Sequence, residues 1–373
     1  MIIGIEANHE NKNERTGVEN YCWQIINNLK KQMPSDVRVI LYTQKDLLPG
    51  LSEEMPANWE VKILKWPFSK LWSQLRLSWE FLINPPDVFF APGQLIPFFC
   101  PEKTYVTLHD SAFLVNKEAY SFWGRMYLTW MNKRIIKKAK KILTPSEFTR
   151  REIFRLYSYV LPEEVMVTPL AYDKNIFRIF SQEEKDPGFL PRLKIIKPFV
   201  IYLGRLEEKK NVLGLIKAFN LLKKEVDAQL VLVGKGLVGF EKIKDEIEAS
   251  PFSEDIIMTG WLKDDEVAQL LNRAELFVFP SFYEGFGLPT LEAFACGCPV
   301  AAAKGHSLEE VGRESAVYFN PHEVNEIYEK TKRFFVDKEF RNKQSILGLE
   351  RVKNYSWDKT AFATAKILCE LQN

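Results

Sequence analysis

Cysteine and histidine are scarce in this sequence, with five cysteines and four histidines among 373 residues. The cysteines are odd in number and scattered, and Cys296 and Cys298 stand too close together for a usual disulfide or a zinc knuckle. No second cysteine pair supports a metal site. We therefore expect reduced thiols, as is typical of a cytoplasmic protein. The cysteines are Cys22, Cys100, Cys296, Cys298 and Cys369.

Long apolar runs and a large excess of one charge are also missing. The apolar run at the N-terminus, Met1–Ile5, is too short for a signal peptide. No segment approaches the roughly 20 apolar residues that a membrane-spanning helix requires. The net charge of +2 gives no argument for a nucleic-acid partner. We expect a protein that is not integral to a membrane and has no nucleic-acid partner, although it can still lie on a membrane surface.

Short apolar runs alternate with longer helical patterns along the whole chain, which predicts an α/β protein with parallel sheets. At 373 residues the chain is long enough for two domains. The predicted strands of the first half are Ile2–Ile5, Val37–Tyr42, Val61–Leu64, Val88–Ala91, Tyr105–Leu108, Lys141–Thr144 and Val165–Thr168. Those of the second half are Phe199–Leu203, Gln229–Val233, Ile256–Thr259, Leu276–Phe279, Val300–Ala302 and Ala316–Phe319.

A polar stretch containing proline and glycine, residues 181–197, is the predicted linker between the two domains. The first domain is then 1–180 and the second 198–355, each with the pattern of a doubly wound sheet. The C-terminal residues 356–373 form an amphipathic helical pattern. Ligands of such sheets bind beyond the carboxyl ends of the strands, so residues that follow predicted strands are the candidates for a functional site.

The most informative segment is 280–300. The apolar run before it ends in Pro-Ser and leads into a turn that contains Gly285 and Gly287. A helix is predicted to begin near Leu288 and Pro289, because proline is well tolerated in a first helical turn. The free N–H groups at that helix start and the helix dipole would bind an anion such as a pyrophosphate.

Two carboxylates, Glu284 and Glu292, lie on either side of this helix start. A carboxylate is repelled by a bound anion, so its more plausible role is to accept hydrogen bonds from hydroxyl groups. Sugars and riboses are rich in hydroxyl groups. The segment therefore predicts a nucleotide-sugar site, whereas surface glutamates beside a glycine-rich turn are the alternative interpretation.

Glu284 and Glu292 are separated by seven residues within S-x-x-E-G-F-G-L-P-x-L-E-A-x-A-x-G-x-P-V, which resembles the E-x7-E signature of retaining glycosyltransferases of family 4. The resemblance implies the GT-B fold: two Rossmann-like doubly wound domains facing a cleft, with the C-terminal helix 356–373 crossing back to the N-terminal domain. It also implies that the first domain binds the acceptor and the second the nucleotide-sugar donor. The reaction would be hexosyl transfer from a nucleoside-diphosphate sugar, with no cofactor.

The resemblance assigns most of the donor-binding residues to the second domain. Gly204-Arg205 and Lys210-Asn211 are similar to the family's G-R-x3-K-N element, in which Arg and Lys bind the diphosphate. Glu292 would hold the ribose and Glu284 a hydroxyl of the transferred sugar. We expect Trp261 to pack in the core. The complete expected donor site is Gly17, Gly204, Arg205, Lys210, Gly234, Gly260, Glu284, Gly285, Phe286, Gly287, Leu288 and Glu292.

No compact Asp-x-Asp cluster of the metal-ligand type occurs in the chain. Arg205 and Lys210 would then stabilise the charge that grows on the leaving diphosphate, and we predict an enzyme that needs no metal. A double displacement requires a carboxylate close to the sugar. Because the resemblance gives Glu284 to hydroxyl binding, a front-face reaction through an ion pair is the preferred mechanism.

Two residues of the first domain complete the predicted site. His109 follows the strand Tyr105–Leu108 and is similar to the family's N-domain His-Asp motif, so we expect it to contact the donor sugar or neighbouring backbone. Gly17 stands where the family often has two adjacent glycines. Its amide would contact the donor phosphate or an acceptor hydroxyl, or Gly17 is only part of a helix start. The predicted catalytic residues are His109, Arg205, Lys210 and Glu284.

The acceptor and donor remain open at the level of sequence. Residues 65–79 and 122–141 mix aromatic and basic side chains, which indicates either contact with an anionic membrane face carrying a lipid-linked acceptor or amphipathic helices packed on the core. GDP-mannose is the first expectation for the donor and a UDP-sugar the second. The alternatives to a glycosyltransferase of polysaccharide, lipopolysaccharide or glycolipid synthesis are a phosphorylase or sugar-nucleotide epimerase of the same fold, or an inactive nucleotide-sugar-binding module.

Overall fold

The structure is a computed structural model that describes residues 1–8, 11, 15–68, 71–111 and 122–370. The chain divides into two compact units. The first unit comprises Met1–Leu170 together with Ser356–Asn373, and the second comprises Ala171–Tyr355. Each unit is built around its own parallel sheet.

The division of the chain does not coincide with the predicted linker. It falls between Leu170 and Ala171, and residues 181–197 belong to the second unit. Their polar groups are engaged there: the Asp186 N–H donates to Gln269 Oε1 at 3.3 Å, and Arg273 donates to the Asp186 carbonyl at 2.8 Å. The polar composition that resembles a linker therefore serves hydrogen bonding to a neighbouring helix.

In the first unit the described strands form a seven-stranded sheet with the order β3-β2-β1-β4-β5-β6-β7, and all of its pairs are parallel. Its helices include a π-helical turn, Trp72–Arg76, that leads directly into α2. The strands are β1 (Ile2–Glu6), β2 (Arg38–Thr43), β3 (Trp59–Ile63), β4 (Val88–Ala91), β5 (Thr104–Thr107), β6 (Lys141–Thr144) and β7 (Val165–Val167). The helices are α1 (Gly17–Gln32), α2 (Leu77–Ile83), α3 (Phe122–Lys138) and α4 (Glu147–Leu156).

In the second unit the described strands form a six-stranded sheet with the order β10-β9-β8-β11-β12-β13, again with parallel pairs. The strands are β8 (Phe199–Leu203), β9 (Gln229–Val233), β10 (Ile256–Gly260), β11 (Leu276–Phe279), β12 (Val300–Ala303) and β13 (Ala316–Phe319). The helices are α5 (Phe189–Arg192), α6 (Val212–Leu222), α7 (Phe240–Glu248), α8 (Asp264–Leu271), α9 (Leu288–Ala295), α10 (Ser307–Gly312), α11 (Val324–Val336) and α12 (Lys338–Val352).

The last helix, α13 (Trp357–Leu368), packs on the first unit, as the resemblance predicted. Its Trp357 ring lies 6.0 Å from the ring of Tyr21 on α1, and the Thr360 hydroxyl donates to the Pro169 carbonyl at 2.6 Å. Residues 371–373 of the predicted helical segment lie outside the described residues.

The strand order sets where a ligand can bind in the second unit. The chain runs outward from β8 through β9 to β10 and then returns to β11, beside β8. The connections that leave β8 and β11 therefore go to opposite faces of the sheet, and a crevice opens between them beyond the carboxyl ends of the strands. The segments with Gly204 to Asn211 and Pro280 to Gly287 follow these two strands.

Candidate active site

The segments that follow β8 and β11 are joined by backbone and side-chain contacts. The Phe282 N–H donates to the Lys209 carbonyl at 3.0 Å. Beside it, Lys210 Nζ lies 2.5 Å from Glu284 Oε1, and each side chain is only 13% exposed. Lys210 Nζ also lies 5.6 Å from the centre of the Phe279 ring at the end of β11. The structure thus brings together a predicted phosphate ligand and a predicted sugar ligand.

The ion pair with Lys210 determines the charge of Glu284. Burial on its own would raise the pKa of this carboxyl, but the attraction and hydrogen bond of Lys210 hold the pKa below its ordinary value. Glu284 is therefore ionised at neutral pH. The Ser307 hydroxyl donates to the Glu284 carbonyl at 2.7 Å, which ties the turn to the start of α10.

Arg205, by contrast, keeps its guanidinium at the surface, with the side chain 51% exposed. Its Nε lies 3.8 Å from Glu207 Oε1, while its carbonyl accepts a hydrogen bond from the buried Tyr202 hydroxyl at 2.9 Å. The backbone is fixed and the cationic group remains accessible. Glu207 and Lys209, whose charged atoms lie 3.6 Å apart, also belong to this loop and were not singled out from the sequence.

The helix start predicted from the sequence lies where the motif placed it. Gly287 is the N-cap of α9 with φ 92°, and α9 begins at Leu288 with Pro289 in its first turn. An L side chain is strained at this positive φ, and a Cβ atom on Gly287 would also lie 2.2 Å from Leu308 Cδ2, so the turn favours glycine. Gly285 and Phe286 are buried, and Phe286 contacts the ring of Tyr355 edge-on at 6.0 Å.

Glu292 lies within α9 and is buried. Burial, with a smaller contribution from Asp264, raises the pKa of its carboxyl to about 8. At neutral pH this side chain carries a proton in the structure, unlike Glu284. The two carboxyl groups of the motif thus differ in protonation because only Glu284 is paired with a lysine.

Three of the predicted glycines lie at or just beyond the carboxyl ends of adjacent strands. The Gly204 N–H donates to the Val233 carbonyl at 3.0 Å, and the Gly234 N–H donates to the Gly260 carbonyl at 2.9 Å. A Cβ atom on Gly234 would lie 1.9 Å from the Gly204 carbonyl oxygen. Gly234 is therefore required for the close approach of two backbone segments, independently of any ligand.

Two side chains near this edge differ from expectation or were missed. Trp261 is 41% exposed, with Lys235 Nζ 5.6 Å from its ring, and so it is not a core residue. It follows β10, which is an edge strand of the sheet formed by the described residues. His306 is buried, and its Nε2 donates to the Ser281 carbonyl at 3.0 Å. Burial lowers the pKa of His306, whose ring supports the Pro280-Ser281 turn.

In the first unit, His109 is buried just beyond β5. Its Nε2 lies 2.9 Å from the Pro92 carbonyl, which can only accept, so Nε2 carries a proton. The ring of Tyr21 meets the His109 ring edge-on at 4.6 Å, and the Tyr21 hydroxyl lies 2.9 Å from Thr107 Oγ1. Burial lowers the pKa of His109, so the ring is neutral near pH 7.

Gly17 is the first residue of α1, after the N-cap Thr16 and its capping-box partner Glu19. The Thr16 N–H donates to Glu19 Oε2 at 2.8 Å. A Cβ atom on Gly17 would meet nothing within 4 Å. Helix α1 thus begins at Gly17, and its Tyr21 orients the ring of His109. All other predicted site residues belong to the second unit.

Two features are absent from the described parts of the chain. Within these ranges no group of three or more histidine, cysteine, aspartate or glutamate residues could hold a metal ion. No helix found there is both long and apolar enough to cross a membrane.

The chain is similar in sequence to known glycosyltransferases. Residues 192–348 match the sequence model of the family described as "Glycosyl transferases group 1". The chain is 29% identical over 300 residues to O-antigen chain mannosyltransferase B of Escherichia coli, covering 80% of this chain and 76% of that protein. It is 32% identical over 267 residues to the serotype-specific mannosyltransferase WbdA of Escherichia coli, covering 70% of this chain but only 32% of WbdA.

Among solved structures, Anabaena Alr3699/HepE in complex with UDP-glucose has a similar fold, with a TM-score of 0.75, 18% identity and complete coverage of both chains. This likeness bears on the fold and agrees with the predicted GT-B architecture of two Rossmann-like domains. With its E-x7-E segment at a helix start and the family match across its second unit, the chain belongs to the group 1 glycosyltransferases.

Proposed function

We propose that the protein is a retaining, family 4 hexosyltransferase that moves a mannosyl residue from GDP-mannose, or otherwise a hexosyl residue from a UDP-sugar. The acceptor is a saccharide or a lipid-linked saccharide in polysaccharide, lipopolysaccharide or glycolipid synthesis. The mannosyltransferases among the relatives support the choice of mannose. Nothing in the reported similarities favours a sugar-nucleotide epimerase. The enzyme would act in the cytoplasm, in peripheral contact with the membrane face that carries the acceptor.

The observation that carries this proposal is the ion pair of Lys210 with Glu284, which shortly precedes the start of α9 in the chain. Arg205 belongs to the same loop as Lys210, and its guanidinium is exposed. A diphosphate at this place would meet two cations and the free N–H groups of a helix N-terminus. These groups stabilise the negative charge that develops on the leaving nucleoside diphosphate. No metal is needed in this scheme because Arg205 and Lys210 supply the positive charge.

The state of Glu284 supports a front-face reaction over a double displacement. A carboxylate that is hydrogen-bonded to Lys210 is poorly suited to attack the sugar, and it is better suited to accept a sugar hydroxyl. We infer that the bond between C1 and the diphosphate oxygen breaks first, giving an oxocarbenium–phosphate ion pair. The acceptor oxygen then bonds to C1 on the same face, and its proton passes to the departing phosphate oxygen.

In this proposal, His109 acts as a neutral ring of fixed orientation. Its Nε2–H is held by the Pro92 carbonyl, so in the neutral ring Nδ1 is a hydrogen-bond acceptor. A hydroxyl of the transferred sugar is a suitable donor for that atom. The role is to position the sugar, since a ring whose pKa is lowered by burial is a poor acid near pH 7.

The proposal is tested by incubating the protein with GDP-mannose, UDP-glucose and dTDP-glucose, with and without EDTA. We expect thermal stabilisation by one nucleotide family, slow hydrolysis of its sugar donor, and no effect of EDTA. The anomeric configuration of the released or transferred sugar, followed by NMR, should be that of the donor. A protein that responds to none of these donors would contradict the enzymatic assignment, and an inverted product would contradict the retaining mechanism.

The variant Arg205→Ala tests the diphosphate site more specifically. We expect it to lower donor turnover about 10²- to 10³-fold, as loss of an electrostatic donor does elsewhere. The matched control is Arg333→Ala, an exposed arginine on α11 of the same unit. Equal turnover of the two variants would show that Arg205 does not belong to the donor site.

A further inference from the structure

One surface of the first unit combines exposed aromatic side chains with basic ones. On α2, Trp79, Leu82 and Ile83 are exposed, with Trp79 at 61%. On α3, Trp123, Met126 and Trp130 are exposed, with Trp123 at 74%. On each helix these positions follow a spacing of three or four residues, so each set lies on one helical face. Trp79 and the α3 side chains belong to the segments that the sequence left undecided between core packing and membrane contact, whereas Leu82 and Ile83 lie outside those segments.

The two helices are joined by the loop that follows β4. The Phe99 N–H donates to the Ser78 hydroxyl of α2 at 3.2 Å. From the other side, Arg134 of α3 donates to the Pro97 and Phe98 carbonyls. The Phe98 ring lies 6.0 Å from the Trp130 ring. The exposed faces of α2, the loop 97–101 and α3 therefore form one continuous surface, which we call the α2–α3 surface.

The charge of the α2–α3 surface has one sign. Helix α3 carries five basic residues and no acidic residue. Its Lys133, Lys137 and Lys138 are exposed and come after the aromatic positions along the helix. The acidic residue of α2, Glu80, is buried and paired with Lys62 at 2.5 Å. Exposed aromatics beside the lysines of α3 complement an anionic bilayer, whose interface accepts both.

A cavity of about 250 Å³ opens on the same surface. The side chains that line it are mostly apolar, and the basic group among them is Lys138 at the end of α3. Apolar walls beside an ammonium group match the parts of an anionic phospholipid, with an acyl chain in the cavity and its phosphate near Lys138. The other lining residues are Phe81, Leu82, Pro85, Phe98, Phe99, Cys100 and Pro101.

We propose that the α2–α3 surface docks on an anionic phospholipid bilayer, with Trp79, Phe99 and Trp123 entering the interface and the lysines of α3 contacting headgroups. This inference deepens the peripheral membrane contact proposed above and rests on it. It assigns the contact to the first unit and to named side chains. Ser69 and Lys70, which belong to the same sequence segment, lie outside the described residues.

The test is co-sedimentation of the full-length protein with vesicles of phosphatidylcholine, with and without phosphatidylglycerol. We expect binding only to the phosphatidylglycerol vesicles, and weaker binding at higher salt. The pair Trp79→Asp and Trp123→Asp should reduce partitioning at least tenfold, because each tryptophan loses its apolar burial. The control is Phe362→Asp, which changes an equally exposed aromatic on α13 of the same unit.

The lysines are tested separately. Lys133→Gln with Lys137→Gln should weaken binding about fivefold for each charge removed. The control pair is Lys338→Gln with Lys343→Gln, two exposed lysines on α12 of the second unit. Wild-type binding by the α3 variants, or absence of binding to any anionic vesicle, overturns the proposal.

A fluorophore distinguishes insertion from adsorption by charge alone. Cys100 lines the cavity, while Cys22, Cys296 and Cys298 are buried, so a Cys369→Ser variant can be labelled at Cys100. We expect the emission of a polarity-sensitive label to shift to the blue with phosphatidylglycerol vesicles. An unshifted label would show that the cavity does not face lipid. Thermal stabilisation by GDP, measured without vesicles on the same samples, reports on the nucleotide site independently.

Discussion

Glu292 is a carboxyl group whose protonation differs between the folded and unfolded chain. Its pKa is raised to about 8 in the fold, chiefly by burial. Between its ordinary pKa and about 8, the folded state binds more protons than the unfolded state, so stability falls as pH rises through this window. The contribution of Glu292 is therefore fully present below its ordinary pKa, declines through this window and is lost above about pH 8.

This difference predicts an effect of pH on the variant Glu292→Gln. The amide cannot ionise, so the variant should become more stable relative to the wild type between pH 5 and pH 9, by about 2–5 kcal/mol. Urea unfolding at the two pH values measures the change. Glu329→Gln, at an exposed site on α11, is the matched control. A pH-independent difference for Glu292→Gln would mean that its pKa is not raised.

A second prediction concerns the ribose. Glu292→Ala should weaken GDP binding, since each lost hydrogen bond costs about 0.5–1.5 kcal/mol. Glu284→Ala should instead depress turnover more than nucleotide affinity, because Glu284 is assigned to the transferred sugar. Calorimetric titration with GDP and donor turnover together separate the two roles. Equal GDP affinities in the wild type and Glu292→Ala would show that Glu292 does not bind the ribose.

Lys210 and Glu284 are expected to act as a unit, because each is the partner of the other in the structure. Lys210→Met should lower turnover about 10²- to 10³-fold. The double variant with Glu284→Gln should be much less impaired than the product of the two single effects, since residues in one ion pair are not additive. Turnover of all four proteins measures this coupling, with Lys224→Met as an exposed-lysine control. Strictly multiplicative effects would show that the two groups act separately.

At the scale of elements, the glycines at or just beyond the ends of β8, β9 and β10 differ in how strictly the fold requires glycine. Gly234→Ala places a methyl group 1.9 Å from the Gly204 carbonyl oxygen, whereas a methyl group on Gly260 meets nothing within 4 Å. We expect Gly260→Ala to cost about 1–2 kcal/mol from its positive φ alone, and Gly234→Ala to cost at least about 4 kcal/mol. Urea unfolding measures both. Similar losses would imply that the Gly204 backbone moves aside easily.

The strands and the helix start of the E-x7-E segment were predictable because their signals are local. Apolar runs bounded by turns gave every described strand to within about two residues. The ion pair of Lys210 with Glu284 was not predictable, since it joins residues on separate strand ends and depends on β8 lying beside β11. Trp261 was misplaced in the core for a related reason: its exposure depends on β10 being an edge strand.

The predicted linker shows the limit of composition as a guide. Residues 181–197 have the polar, proline-containing character of a connection between domains. In the structure, Lys197 instead lies 3.0 Å from Asp255, and Arg273 donates to the Asp186 carbonyl. A polar composition indicates that a segment will contact water or polar protein groups. It does not distinguish a solvent-exposed linker from a segment that is hydrogen-bonded to a domain. The division of the chain at Leu170 carries no comparable signal in the sequence.

At the scale of the whole molecule, the chain leaves the first unit at Leu170 and returns to it at Ser356. The returning helix α13 packs on α1, the helix that carries Tyr21 and begins at Gly17. Tyr21 contacts both Trp357 of α13 and His109. The end of the chain therefore supports the packing around His109, although the two segments are distant in sequence.

This packing predicts the effect of Trp357→Ala on the first unit. Trp357 is buried, and truncation of a buried tryptophan costs about 3–5 kcal/mol through lost contacts and a cavity. Hydrogen exchange should increase for the amides of α1 and β1, while GDP binding by the second unit keeps its affinity. Phe362→Ala, at an exposed position of the same helix, should leave exchange unchanged. Unaltered exchange in α1 of Trp357→Ala would contradict a stabilising role of the returning helix, and a matching fall in GDP affinity would show that the nucleotide site depends on it as well.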